Sequence, residues 1–333
     1  MEKRTKTILI IANLIFIFTI ISFPTFILLA EYSHLSRIDE SLTYTYSSTT
    51  PPIKKELNLN TDLGIIDIKY TTQPTDYLIR IDVDIEMAGP NLNGKSYLDF
   101  FNIGWENFSS PVNFTLELKS DILEEFSNLH KANVIINIIL RADIIFDINA
   151  SIIEGAIEIV NLVGITVSDL FLNVDRGNIN YDFTHCTFEG NISGTVNYGN
   201  ITLKSYNNQY TQNCKLTFIN VWGYTLIDIY QYEEMGGNIT GIAFTKAGRI
   251  RVIYKDESSN IGAQFVMYNK TDLGRPETET VWEGFDRDIL PLDEGQMYTS
   301  YDFPTQNNYD FTLRKYEYLG NFMWDLYSIP LSE

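Results

Sequence analysis

From about Leu57 onward, apolar and polar residues alternate with a period of two. In "YLIRIDVDIEM", Tyr77, Ile79, Ile81, Val83, Ile85 and Met87 share one face, and Arg80, Asp82, Asp84 and Glu86 share the other. That pattern predicts a half-buried strand, because successive strand side chains point to opposite faces of a sheet. The same period returns over Phe114–Leu118 and Ile144–Ile148. The run "VIINIIL", Val134–Leu140, is apolar on both faces, as expected of a strand covered on both sides. One segment differs. In "SDILEEFSNLHK", Asp121 precedes Glu124 by three, and Ile122, Leu123, Phe126 and Leu129 form a stripe, which predicts a short capped helix.

Beyond Ile152 a glycine followed by a short Ile/Val alternation recurs, at Gly155, Gly164, Gly177, Gly190, Gly199, Gly237 and Gly248. The first five lie 9, 13, 13 and 9 residues apart, which pairs into a unit near 22 residues, within the range of stacked structural repeats. The apolar phase shifts along this region. Inward positions are Leu170, Leu172 and Val174, then Ile179, Tyr181 and Phe183, then Cys186, Phe188 and Ile192, and after Gly199 Ile201 and Leu203. A strand changes phase only through a bulge or corner, and glycine takes the required backbone angles at least cost. The pattern predicts a mainly β chain, a β-solenoid or parallel β-helix-like stack of short strands with these glycines at its corners.

The amino-terminal end reads differently. Lys3, Arg4 and Lys6 precede an uncharged run from Ile8 to Ala30. At ~1.5 Å per residue such a run is long enough as a helix to cross a hydrocarbon core of roughly 30 Å. The basic flank predicts a cytoplasmic end at 1–7, a signal-anchor helix at 8–30 and an extracellular remainder of the chain. A cleaved signal peptide is the rival reading, with a normal apolar core of only about 7–15 residues. Residues 31–56 are dense in Ser and Thr and hold Pro51-Pro52, which predicts a stalk. The strand-repeat domain then spans 57–255. The last segment, 256–333, is an aromatic-rich cap or extension that includes Trp282, Phe285, Tyr316, Tyr318 and Trp324.

Charge narrows the partners. Glu2, Lys3, Arg4 and Lys6 aside, 42 of the 43 acidic residues face 21 of the 24 basic ones. That balance argues against nucleic acid and anionic lipid, whose binders need basic patches. Cys186 and Cys214 are the only cysteines, and an even count in an oxidising space predicts one disulfide across neighbouring strands. Seven Asn-x-Ser/Thr sequons follow the anchor, at Asn107, Asn113, Asn149, Asn191, Asn200, Asn238 and Asn269, as possible N-glycosylation sites or strand-edge polar residues.

The short "G-x-I-x-V" strands, preceded by "NTDLGIIDIKY" and by "VIINIIL", resemble the putative-adhesin family of cell-surface β-strand-repeat proteins. The resemblance covers roughly Leu57 to Tyr254. It implies a β-helix-like exterior domain of unassigned activity and supplies no catalytic residues. The chain departs from the pattern at the polar insert "YNNQYTQN" and again after Lys255.

No catalytic, cofactor or metal constellation is legible. The three histidines, His34, His130 and His185, lack zinc-ligand spacing, and no phosphate-cradling or nucleophile-elbow motif occurs. Asp82, Asp84 and Glu86 stand about 7 Å apart along a strand, a separation used in glycoside hydrolysis, but strand rise alone produces it wherever acids alternate. A solvated face is the expectation for them, and equally for Asp143 and Asp147. Calcium between adjacent strands is conceivable, yet the acidic glycine-rich nonapeptide of calcium-binding stacks is absent. The expected function is that of a noncatalytic, membrane-anchored surface protein for adhesion or envelope assembly, touching an envelope glycan or a surface protein, with no cofactor. The alternatives are an exterior binding subunit of a membrane complex and a polysaccharide-cleaving β-helix enzyme.

Overall fold

The computed structural model describes residues 36–256 apart from 91, 108–110, 121–125, 212, 232–236 and 238, and six strands beyond them. Through residue 256 the strands are β1 (Ser36–Tyr46), β2 (Lys54–Thr71), β3 (Ile79–Gly89), β4 (Phe101–Glu106), β5 (Val112–Leu118), β6 (Lys131–Arg141) and β7 (Ile145–Val163). They continue as β8 (Thr166–Val167), β9 (Leu170–Thr184), β10 (Thr187–Phe188), β11 (Ile192–Tyr206), β12 (Gln209–Tyr210), β13 (Cys214–Gln231) and β14 (Ile239–Asp256). The last six are β15 (Ala263–Lys270), β16 (Thr280–Glu283), β17 (Asp286–Leu292), β18 (Gln296–Asp302), β19 (Phe311–Leu319) and β20 (Met323–Ser328). The chain is mainly β. Seventeen strands join one large mixed sheet, and β8, β10 and β12 form a second, parallel one. Residues 8–30 and 121–125, where a membrane helix and most of a capped helix are expected, lie outside the described residues. Among the described residues no helix is long and apolar enough to cross a membrane.

The chain divides into two compact units, residues 1–40, 85–100 and 119–133 against 41–84, 101–118 and 134–333. In the first, Lys131 Nζ donates to Glu86 Oε2 at 2.6 Å and the His130 amide donates to the Ala88 carbonyl at 2.9 Å. The second holds the repeat.

Within it, β2, β7, β9, β11, β13 and β14 lie side by side in parallel. Ile148 faces Leu170, Leu170 faces Ile192 and Ile192 faces Leu216, offsets of 22, 22 and 24 residues. The two extra residues of the last step enter between Phe188↔Tyr210, still offset by 22, and Ile192↔Leu216. Each repeat contributes one long strand bent at its glycine and, in three successive repeats, one two-residue strand. The inward positions expected from the phase shifts, from Leu170 through Leu203, are all buried. In-register stacking also lines up aromatic rings, with Phe188 on Tyr210 at 5.2 Å and Tyr206 on Tyr230 at 4.8 Å between centroids. Each such pair contributes about 0.5–1.5 kcal/mol beyond area burial.

The glycines explain the bend. Gly64, Gly155, Gly177, Gly199, Gly223 and Gly248 face one another across successive strands in one column. A Cβ on Gly177 would lie 1.6 Å from the Gly155 carbonyl oxygen, and φ there is +138°. The column has room only for hydrogen at that position. Gly64 and Gly223 belong to it and were not among the expected corners. Gly164 serves a second corner, with φ of 67°, where His185 and Asn207 take the equivalent left-handed positions at 51° and 48°. Gly190 corrects the sequence reading. It is not among the left-handed residues, and its requirement is close approach, since a Cβ would meet the Asp169 amide nitrogen and Oδ1 at 2.6 Å. Gly237 sits on a bend before β14.

Two further expectations change. Residues 36–46, assigned to a stalk, form β1, and β2 begins at Lys54 rather than Leu57. One face of the alternation "SLTYTY" pairs through hydroxyls, with Ser41 Oγ donating to Asp84 at 2.6 Å and Thr43 Oγ1 to Asp82 at 2.7 Å, while Tyr44 on the other face packs against Trp105 and Phe114 at 6.0 and 5.8 Å between centroids. At the other end, within 256–333, β19 and β20 pair in parallel with β14 and so continue the sheet of the repeat.

Candidate functional site

The expected disulfide is not formed, and Cys186 and Cys214 are buried free thiols. The register is the reason. Cys186 lies level with Asn208, whose Oδ1 accepts the Cys186 amide at 2.7 Å. Cys214 lies two residues before the Ile192↔Leu216 pair, level with Gly190. Four positions of chain along the repeat therefore separate the thiols in addition to one strand, beyond the reach of Cβ atoms that a bridge needs about 3.5–4.5 Å apart. Burial pushes the Cys214 thiol up to about 12 and raises that of Cys186.

The acidic alternation is taken up in hydrogen bonds and ion pairs. Asp82 accepts from Thr43 and from Arg80 Nε at 2.9 Å, Asp84 accepts from Ser41, and Glu86 pairs with Lys131. The hydrogen bond from Lys131 holds the Glu86 carboxyl below its ordinary range, opposite to what a proton donor requires. Asp143 is clamped by Arg141 at 2.6 and 3.0 Å, and Asp147 by Lys54 at 2.9 Å. Among the described residues no three His, Cys, Asp or Glu side chains converge on a metal-sized site. His185 is a corner residue whose Nδ1 lies 3.2 Å from Asn207 Nδ2.

The sequon asparagines have varied placements. Asn149, Asn191 and Asn200 are exposed, Asn107 and Asn113 half-buried, and Asn238 lies outside the described residues, as does the Asn269 side chain on β15. Asn191 belongs to a ladder in which each side-chain oxygen accepts the amide of the next strand. Asp147 Oδ1 takes Asp169 N at 3.3 Å, Asp169 Oδ1 takes Asn191 N at 2.7 Å and Asn191 Oδ1 takes Lys215 N at 3.0 Å. A second ladder runs through Asn178 and Asn200 to the Tyr224 amide. Both residues of the Gly177-Asn178, Gly190-Asn191 and Gly199-Asn200 phrases are thus architectural.

Two surfaces have no such structural use. Immediately before the glycine column, register places Glu154, Arg176, Tyr198 and Trp222 in a row across four parallel strands. Tyr198 is 56 % and Trp222 45 % exposed, far more than rings contributing to a core. Arg176 Nη1 lies 3.8 Å from Glu154 Oε2 and its Nε 3.7 Å from Asp175 Oδ2, long and solvent-exposed pairs of small energetic weight. Nothing in the sequence alone marked this ridge, because its members are separated by 22 and 24 residues.

The second surface is a depression of ≈ 400 Å³ where β2 lies between β5 and β7. Asn113, Asn58 and Asn149 form one row of outward side chains across it, and Thr115, Asn60 and Ser151 the next. The inward neighbours Leu57, Leu59, Val112, Phe114, Ile148 and Ala150 are buried. Asn58 Nδ2 donates to Asn113 Oδ1 at 3.1 Å, and Asn113 Nδ2 donates to Glu106 Oε2 at 3.2 Å. Asn58 Oδ1 is buried with no donor among the described residues.

Neither the family models nor the curated proteins include a match to this chain. Among solved structures it is similar to a putative cell adhesion protein from Clostridium sporogenes, at 12 % identity and a TM-score of 0.34, over 87 % of this chain and 100 % of that one. It is also similar to a putative adhesin from Bacteroides fragilis, at 10 % identity and 0.30, over 86 % and 96 % of the two chains. A putative adhesin from Parabacteroides merdae matches at 15 % identity and 0.30, over 68 % and 90 %. At these scores the functional reading rests on the chain's own residues.

Proposed function

We propose that this is a noncatalytic surface protein, held in the membrane by the apolar segment at 8–30, whose repeat region is a β-solenoid built for adhesion or envelope assembly. The registers of 22 to 25 residues across β7, β9, β11, β13 and β14 support the solenoid. The observation that carries the function is the Glu154–Arg176–Tyr198–Trp222 ridge. Tyr, Trp and Arg are the residues that dominate contact energies at protein interfaces, and rings left in solvent are an unexplained cost without a partner. A stacked architecture offers such a ridge as a straight, rigid strip, since neighbouring strands hold their side chains about 4.8 Å apart. The partner is a surface protein or an envelope glycan, and the acidic balance disfavours nucleic acid.

The test displays the full chain on cells and measures attachment to target cells or envelope material. Tyr198→Ala with Trp222→Ala should abolish attachment and leave the melting temperature within about 2 °C, because both side chains are exposed. Unchanged attachment would refute the ridge. In parallel, protease added to intact cells should remove the chain beyond residue 31 and leave a small membrane fragment. A mature protein that starts near Glu31 and washes off would refute the anchor.

A further inference from the structure

We propose that the depression between β5, β2 and β7 binds a neutral, hydroxyl-rich ligand, one pyranose unit of a glycan. Its volume of ≈ 400 Å³ falls within the roughly 300–1,000 Å³ common for small-molecule sites. Two rows of three polar side chains, Asn113–Asn58–Asn149 and Thr115–Asn60–Ser151, cover an area about two strand spacings wide, near 10 Å, and about 7 Å long, the footprint of a sugar ring.

The hydrogen bonding has a direction. The Glu106 carboxylate accepts from Asn113, and Asn113 accepts from Asn58. Each amide that donates toward the anion becomes a better acceptor at its own oxygen, so the series ends in a strengthened Asn58 Oδ1. That oxygen is buried and has no donor among the described residues, a state costly enough that native structures rarely leave it so. A hydroxyl suits it, since one hydroxyl can donate to Asn58 while accepting from a neighbouring amide.

Charge excludes the other classes. No Lys or Arg lines the depression, so a phosphate or acidic sugar would meet the Glu106 carboxylate and only uncharged amides and hydroxyls. A single carboxylate, already accepting from Asn113, is a poor cation site. Gly104 also lines the depression, and a Cβ there would lie 2.5 Å from Thr115 Oγ1, so glycine leaves that hydroxyl its place. The assignment also gives Asn113 and Asn149 a use that competes with glycosylation, for a covalent glycan on either would fill the depression.

The experiment titrates the purified full chain, held in a sugar-free zwitterionic detergent, with methyl glycosides of glucose, galactose, mannose and N-acetylglucosamine. Glucose 6-phosphate, sialic acid and calcium are the counter-probes, and ligand-observed NMR is the readout. Saturable binding of at least one neutral sugar is expected, and Asn60→Ala with Asn149→Ala should weaken it by about tenfold or more while melting stays unchanged. Both positions carry hydrogen-bonding groups that no described neighbour uses, so folding does not confound the result. The assignment is overturned by any of four outcomes. These are no saturable binding of a neutral sugar at millimolar concentration, equal binding by the double variant, tighter binding of an anionic probe or calcium, and a covalent glycan found on Asn113 or Asn149. The site is independent of the adhesion ridge, and sugar binding retained in the Tyr198 and Trp222 variants would separate the two.

Discussion

Replacing Gly177 with alanine tests the glycine column directly. The new Cβ would stand 1.6 Å from the Gly155 carbonyl oxygen, where non-bonded heavy atoms rest at roughly 3.5 Å. Relief requires a strand to move nearly 2 Å against a spacing of about 4.8 Å, which breaks ladder hydrogen bonds along that edge. Backbone strain at φ +138° adds about 1–3 kcal/mol, and overpacking of this kind costs about 1–3 kcal/mol more. The sum, about 2–6 kcal/mol, is a large part of the ~5–15 kcal/mol that holds a typical domain. Gly164 is the internal control. Its φ is +67° and a Cβ there meets nothing within 4 Å, so alanine should cost only about 1–2 kcal/mol. Asparagine should cost less still, since Asn207 already occupies the equivalent corner. Urea unfolding of the full chain, read as midpoints at constant slope, measures all three. If Gly177→Ala loses no more stability than Gly164→Ala, close approach does not govern the bend and the column argument fails.

The free thiols should alkylate only after unfolding, and unreduced peptide mapping should find both unlinked; a Cys186–Cys214 peptide would contradict the register. With its thiol raised from 9.0 to about 12, Cys214 ionises more readily in the unfolded chain, so its contribution is fully present below about pH 9 and is lost as pH rises toward 12. Comparing parent with Cys214→Ala above pH 9 should show the parent losing up to about 1.4 kcal/mol per pH unit more. Equal slopes would place the thiol in solvent. Asn191→Ala removes the acceptor of the Lys215 amide at 3.0 Å and should cost about 0.5–1.5 kcal/mol in urea unfolding, while Asn191→Gln, with its longer side chain, should retain part of that. A variant as stable as the parent would show that the ladder is not used.

Strand identity and facing were properties of short stretches and could be read from them. "YLIRIDVDIEM" declares its buried face because side-chain direction alternates with every residue, and the phase shifts around Gly177 and Gly199 declare a bend for the same reason. What the bend needed was less visible. Gly190 and Gly199 open nearly the same phrase, yet one is required by an approaching amide and the other by an approaching carbonyl at positive φ. That difference lies in the neighbouring strand, not in the phrase. Gly64 and Gly223 join the column because β2 and β13 fall into register there. The alternation of β1 is hard to read because its Ser41 and Thr43 hydroxyls pair with carboxylates of β3, and its inward positions are mostly half-buried rather than fully apolar and buried. Register is a sum over all pairs along two strands, so it belongs to no single segment. It alone parted the two cysteines, aligned Tyr198 with Trp222, and set Asn58 between Asn113 and Asn149. Local alternation therefore determined that this chain is built of strands and which side of each faces inward; the register of one strand on the next decided which residues meet on the outside.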